Sequence, residues 1–144
     1  MFDGVWKLDM THSIGSLDDI LALAGINAFK RMAIVRLEVT EIYQMREASQ
    51  SLHFVRDTKY FHFEETFPFG LAMKVDDPIL GKAKQTITYN GKRRLESRVE
   101  QENGSVFHST KTILEGQDNR IVYVMNYTTS HGNANCVRYY LRSP

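Results

Sequence analysis

The chain has 144 residues, 42% of them hydrophobic, with 18 basic against 17 acidic side chains and a single cysteine. A net charge of +1 gives no basic field for nucleic acid, and a lone cysteine makes no intrachain disulfide. No apolar run reaches the ~20 residues that cross a bilayer, and Asp3, Lys7 and Asp9 interrupt the opening where a secretory leader would be apolar. Together these features predict a soluble protein of a reducing, intracellular compartment, with one domain over 1–144.

Residues 4–13 read as a first strand. The period then changes: Leu17, Ile20, Leu21 and Ala24 fall on one helical face, Ser16 and Asp19 form a capping-box pattern, and Gly25 stands where a helix end wants a left-handed residue. Asn27 can cap a second short helix over 28–36, so a helix pair occupies about 16–36. The remainder reads as strands over 37–46, 50–57, 59–67, 69–75, 82–89, 92–101, 105–114, 120–129 and 134–142, separated by turn-forming clusters. Asn90-Gly91 is a two-residue hairpin signal, and Pro68 is confined to an edge, bulge or break. About ten evenly spaced strands with tight turns predict an all-β, up-and-down antiparallel barrel.

Several strands refuse to separate into an apolar and a polar face. YFHFEETF mixes aromatics with His62 and Glu64, and SVFHSTKTIL carries polar groups on both sides. A solid core would need a consistently apolar inner face, whereas a barrel around a wet cavity would not. The last strand poses the question most sharply. Val137, Tyr139 and Leu141 alternate with Cys136, Arg138, Tyr140 and Arg142, and the simple rule would bury the first set and leave Arg138 in water.

Catalytic chemistry finds no support. There is no nucleophile elbow, phosphate loop or dinucleotide fingerprint, so no catalytic residue and no cofactor is assigned. The five histidines, at 12, 53, 62, 108 and 131, lack metal-ligand spacing, and no metal is expected. His62 and His108 remain open between cavity lining and plain exposure, and Asp76-Asp77-Pro78 reads as a turn.

The opening FDGVWKL, the helix SLDDILALAGI, the FPFG segment followed by KAKQTIT, and RYY near the end resemble, in order and spacing, motifs of the intracellular lipid-binding proteins of the calycin superfamily, the fatty-acid-binding and cellular retinoid-binding group. The likeness spans nearly the whole chain. It implies a ten-stranded clamshell barrel, a two-helix lid inserted after the first strand, and one long-chain fatty acid or related lipid held inside for transport or delivery. The arginine and tyrosine of the family's R-x-Y point inward and bind the ligand carboxylate; the matching residues are Arg138 and Tyr140. A further basic residue on an earlier strand falls on Lys111 counting forward from Gly104 and on Thr112 counting back from ILE; Lys111 has the chemistry. Departures are a longer hairpin over GKRRLESRVEQENG, and Leu17 and Ile20 where aromatics are common. Secreted lipocalins share Gly4-x-Trp6, but they have eight strands and no inserted helix pair.

The resemblance also implies a mouth between the second helix and the turns near Asp57–Tyr60 and Asp76–Ile79, with Leu21, Lys30, Arg31 and Tyr60 at the portal. A basic lid touching anionic membranes would hand the lipid on, with Leu23 adding contact. The alternative is a signalling shuttle, with Lys30 and Arg31 as the core of a nuclear-import signal and a nuclear receptor as partner. The expected state is a cytoplasmic monomer, nuclear as well if it shuttles. The basic run 91–98 reads as solvated strand surface.

Overall fold

The structure is a computed structural model that describes residues 1–91 and 93–144. Ten strands and two α-helices run through the described residues. Strand β1 (Gly4–Gly15) leads into helices α1 (Leu17–Leu23) and α2 (Ala28–Val35). There follow β2 (Thr40–Arg46), β3 (Ser51–Asp57), β4 (His62–Pro68), β5 (Met73–Asp77), β6 (Gly81–Tyr89), β7 (Arg94–Gln101), β8 (Val106–Ile113), β9 (Arg120–Thr129) and β10 (Gly132–Arg142). All paired neighbours are antiparallel, in the order β4-β3-β2-β1-β10-β9-β8-β7-β6-β5. The sheet therefore curls into a nearly closed barrel whose two edges, β4 and β5, share no ladder among the described residues.

One end is sealed by the start of the chain. Trp6 and Phe2 are fully buried, and the Trp6 indole N–H donates to the Phe2 carbonyl at 2.8 Å. Arg142 lays its guanidinium 4.2 Å from the Trp6 ring and donates to the carbonyls of Asp3 and Met1 at 2.8 and 2.6 Å. Helices α1 and α2 follow the far end of β1, so they cover the opposite end.

The helices begin where their caps dictate. Ser16 Oγ accepts the Asp19 N–H at 3.3 Å, Asn27 Oδ1 accepts the Lys30 N–H at 2.9 Å, and Gly25 takes a φ of +82° at the turn between them. Helix α1 buries Ile20 and Leu21, whereas α2 buries nothing fully and leaves Phe29 85% exposed. What ties α2 down is Arg31, whose Nε donates to Asp18 Oδ1 at 2.9 Å and whose Nη1 donates to the Ile26 carbonyl at 2.7 Å. Leu23, expected at the membrane-facing mouth, instead packs partly buried against the core. Among the described residues, no helix is long and apolar enough to cross a membrane.

Some strand limits differ from the pattern reading, each for a local reason. Residues 37–39 leave the ladder because Leu37 is buried and its N–H closes the end of α2 on the Ile34 carbonyl at 3.1 Å, while the Val39 carbonyl accepts from Leu8 N–H at 2.9 Å. Thr58 closes a tight turn, its Oγ1 accepting the Phe61 N–H at 3.0 Å, so β4 starts at His62 rather than 59. Gly70, at φ +80°, turns the chain after Pro68 and delays β5 to Met73. At the 90s hairpin, Asn90 N–H reaches the Arg94 carbonyl at 2.9 Å, four residues on, so the connection exceeds a two-residue turn. Lys92, the first residue expected in its strand and part of the basic run 91–98, lies outside the described residues. Pro68 ends β4, an edge strand, where its missing N–H costs no ladder bond.

Candidate functional site

The barrel encloses a cavity of about 150 Å³. Its walls are largely apolar, with Ile20, Leu21, Leu52, Phe54, Ile87 and Met125 among them. Into this lining project three cations, Arg56, Lys111 and Arg138, and three tyrosines, Tyr43, Tyr123 and Tyr140. The last strand thus turns its polar set inward: Cys136 and Tyr140 are buried, while Leu141 is exposed.

Arg138 lies on β10 opposite Tyr123 of β9 and Ser13 of β1. Its polar contact is the Met10 sulfur at 3.8 Å, and it has no carboxylate partner among the described residues. Tyr140, two residues on, shares its parity, and its ring centroid stands 6.0 Å from that of Tyr123. Burial and the nearby Glu41 charge push the Tyr140 phenol well above its ordinary range, and burial pushes Tyr123 up to about 12. Both are therefore neutral hydroxyls at physiological pH, able to donate to an anion.

Lys111, not Thr112, faces the cavity. Its register opposite Leu95 of β7 and Tyr123 of β9 fixes that parity. The ammonium sits over four aromatic rings, Tyr43, Phe54, Tyr123 and Tyr140, at 4.8 to 5.7 Å from their centroids. It donates to Glu41 Oε1 at 2.8 Å.

Glu41 and Arg56 belong to this site although the sequence reading passed over both. Glu41 is 0% exposed and fully engaged: Oε1 accepts from Lys111 and from the Tyr43 hydroxyl at 2.7 Å, and Oε2 accepts from Arg56 Nε at 2.8 Å. Burial alone would raise its pKa, but Lys111 and Arg56 outweigh that and hold it at about 2. Lys111 gains one attraction from Glu41 and one repulsion from Arg56 while burial works against its charge, so it comes down to about 8. One carboxylate shared by two cations has this consequence: the acid is held ionised and the lysine becomes the easier group to neutralise.

The portal residues separate. Leu21 is buried and lines the cavity, and Lys30 is exposed on α2. Arg31 spends its charge on Asp18. Tyr60 is 67% exposed in the β3–β4 turn with Lys59 Nζ 5.6 Å from its ring centre, at the rim of a depression that also involves Ala33, Arg36, Leu37 and Asp57. Ile34, Phe61, Asp77 and Ile79 line the cavity beneath, so its wall reaches α2 and the turns expected at the mouth. His62 bonds to Asp57 and Glu64 outside the cavity, and His108 does not line it. No group of metal-ligating side chains occurs among the described residues.

No protein-family model and no curated protein matches the chain. Solved structures do. A fatty acid binding protein of Schistosoma mansoni in complex with arachidonic acid superposes with a TM-score of 0.83 at 16% identity, over 99% of this chain and 96% of that one. Fatty-acid-binding protein 1 of Echinococcus granulosus gives 0.82 at 18% identity, over 99% and 98%. A fatty acid-binding protein from brain tissue of Drosophila melanogaster gives 0.78 at 17% identity, over 98% and 99%. At such identities the likeness fixes the fold: a ten-stranded antiparallel barrel with a helix pair after the first strand.

Proposed function

We propose that the chain is a non-enzymatic intracellular carrier that holds one long-chain fatty acid or related lipid in the barrel cavity, its carboxylate at Arg138 with Tyr140. The observation that carries this reading is Arg138 itself, a cation on the wall of a mainly apolar cavity with no carboxylate partner among the described residues and a neutral tyrosine hydroxyl two residues on. Arg138 is half-buried at the cavity wall, and its planar guanidinium suits a carboxylate. Several of the barrels that superpose on this one are named for fatty acids, and one is in complex with arachidonic acid.

Magnitudes assign the roles. Burying about sixteen methylenes yields roughly 13 kcal/mol at ~0.8 kcal/mol each, before association costs of several kcal/mol. A charge-assisted hydrogen bond adds about 1.5–3 kcal/mol. Chain burial therefore sets affinity, and the head-group contact sets orientation and choice. A cavity of about 150 Å³ is the size that takes a single benzene ring. A long acyl chain accordingly enters as the lid and lining side chains yield, and delivery is the reverse, prompted by lid contact with an acidic membrane surface. The nuclear shuttle finds less support, because Arg31 is paired and leaves Lys30 without its expected partner charge.

The test is to purify the protein natively, identify co-purifying lipid by mass spectrometry, and titrate the stripped protein with oleic acid. Saturable one-to-one binding is expected. A protein that arrives empty and binds no acid overturns the proposal.

A further inference from the structure

Three cations face the cavity, yet they are not equivalent. Arg56 and Lys111 converge on one carboxylate, Glu41, which belongs to the chain itself. That carboxylate is fully buried, and both of its oxygens are taken, by Arg56, Lys111 and the Tyr43 hydroxyl. The Lys111 ammonium is further enclosed by four aromatic rings. Arg138 has no such counter-ion among the described residues.

We infer that Glu41 is a built-in occupant of the anion site formed by Arg56 and Lys111, so that Arg138 alone reads the charge of the ligand. The inference rests on the carrier reading above and refines it: it names which cation selects the head group and which residue silences the other two. The physical reason is like-charge repulsion. A second carboxylate at Arg56 or Lys111 would lie beside Glu41 in a low-dielectric interior, where the repulsion offsets much of what the cations offer. Arg138, by contrast, is the cavity cation whose charge no carboxylate of the chain already holds among the described residues.

The register of β2 and β3 shows how the device is built. Glu41 and Arg56 are directly opposed on adjacent strands, each at the end of an otherwise apolar inward row, Tyr43 and Met45 on one side and Phe54 and Leu52 on the other. Lys111 reaches them from β8, a strand remote in the sheet order, so the interaction spans the interior rather than decorating one wall.

The experiment compares oleic acid with methyl oleate, by calorimetric titration, in the wild type, Arg138→Ala, Glu41→Gln, and the double variant. In Arg138→Ala the preference for acid over ester should fall to within about threefold, because no available cation remains. In the double variant a preference of about tenfold or more should return, because the neutral amide that replaces the Glu41 carboxylate no longer neutralises Arg56 and Lys111. Arg138→Ala that keeps a tenfold preference, or a double variant that regains none, overturns the inference. A second arm is independent of lipid binding: formate should raise the melting temperature of Glu41→Ala by several degrees more than that of the wild type, by refilling the vacated site, and equal shifts count against it. If the wild type binds neither acid nor ester, the carrier reading fails while the formate arm still decides the role of Glu41. Should the Glu41 variants fail to fold, a crystal structure of wild type with oleate decides. The ligand carboxylate at Arg138, with Glu41 still on Lys111, supports the inference; the ligand carboxylate on Lys111 or Arg56 overturns it.

Discussion

Arg138 faces inward from a strand whose other face carries Val137, Tyr139 and Leu141, an inversion of the usual apolar-in rule that a wet or ligand-filled interior permits. Arg138→Ala should weaken oleic acid about ten- to a hundredfold and leave its methyl ester within about threefold; equal losses in titration would remove the carboxylate-anchor role. Glu41 gives a pH signature. Its carboxyl is held at about 2 against an ordinary 4.5, so it contributes stability that is complete above the ordinary value and lost as pH falls toward 2, worth about 3 kcal/mol. Denaturant unfolding at pH 5 and pH 2.5 should show that loss in the wild type and a smaller one in Glu41→Gln. A matching loss in both would show that other carboxyls dominate. Lys111 works at the other end of the scale: its folded value of about 8 lies below the ordinary 10.5, so the cost of burying its charge is relieved as pH rises between the two.

The Arg138 inversion was legible through the R-x-Y resemblance and not through alternation, which pointed the other way. Glu41 and Arg56 were legible in principle, since parity groups Glu41 with Tyr43 and Arg56 with Leu52 and Phe54. The opposite faces, Thr40, Ile42 and Gln44 on one strand and His53, Val55 and Asp57 on the other, are mostly polar, so alternation did mark the inward rows; a charge at the end of each row is what argued against counting Glu41 and Arg56 as inside. Their union with Lys111, seventy positions away in the chain, depends on barrel closure, which no local pattern encodes.

At the scale of elements, the helix pair combines a firm half with a loose one. Helix α1 is anchored by Ile20 and Leu21, and α2 hangs from it through Asp18–Arg31. The caps at Ser16 and Asn27 and the turn at Gly25 were plain in the sequence, because capping is a local hydrogen bond; the Arg31 tie was not, because it depends on how the two helices cross. Arg31→Ala should speed lipid dissociation several-fold in stopped-flow measurements and speed amide exchange across 28–35. Unaltered exchange there would show that α2 is held by packing instead. On the outer face, Phe29, Lys30 and Met32 are exposed together. Lys30→Ala should slow transfer to anionic vesicles but not to zwitterionic ones, whereas Phe29→Ser should slow both. Transfer rates that ignore vesicle charge would remove the electrostatic part of that contact.

At the scale of the whole molecule, the strand number, the antiparallel order and the inserted helices all followed from turn spacing and a change of hydrophobic period. The size of the interior did not, since volume depends on rotamers across facing walls. The small resting cavity makes a prediction about length. Across saturated acids, affinity should rise about fourfold per methylene while the lining can yield, then level off. Affinity independent of chain length would mean that the interior stays closed to the ligand.

The seam between β4 and β5 bears on how the molecule meets copies of itself. Two unpaired strand edges are a template on which a second molecule could add its own backbone, the usual first step toward aggregation. Here one edge ends in Pro68 and carries His62 and Glu64, and the other is only five residues long with Lys74 and Asp76 exposed. Charge, brevity and a missing donor make each edge a poor partner. The open joint in the barrel wall is thus guarded on both of its edges against the addition of a further strand.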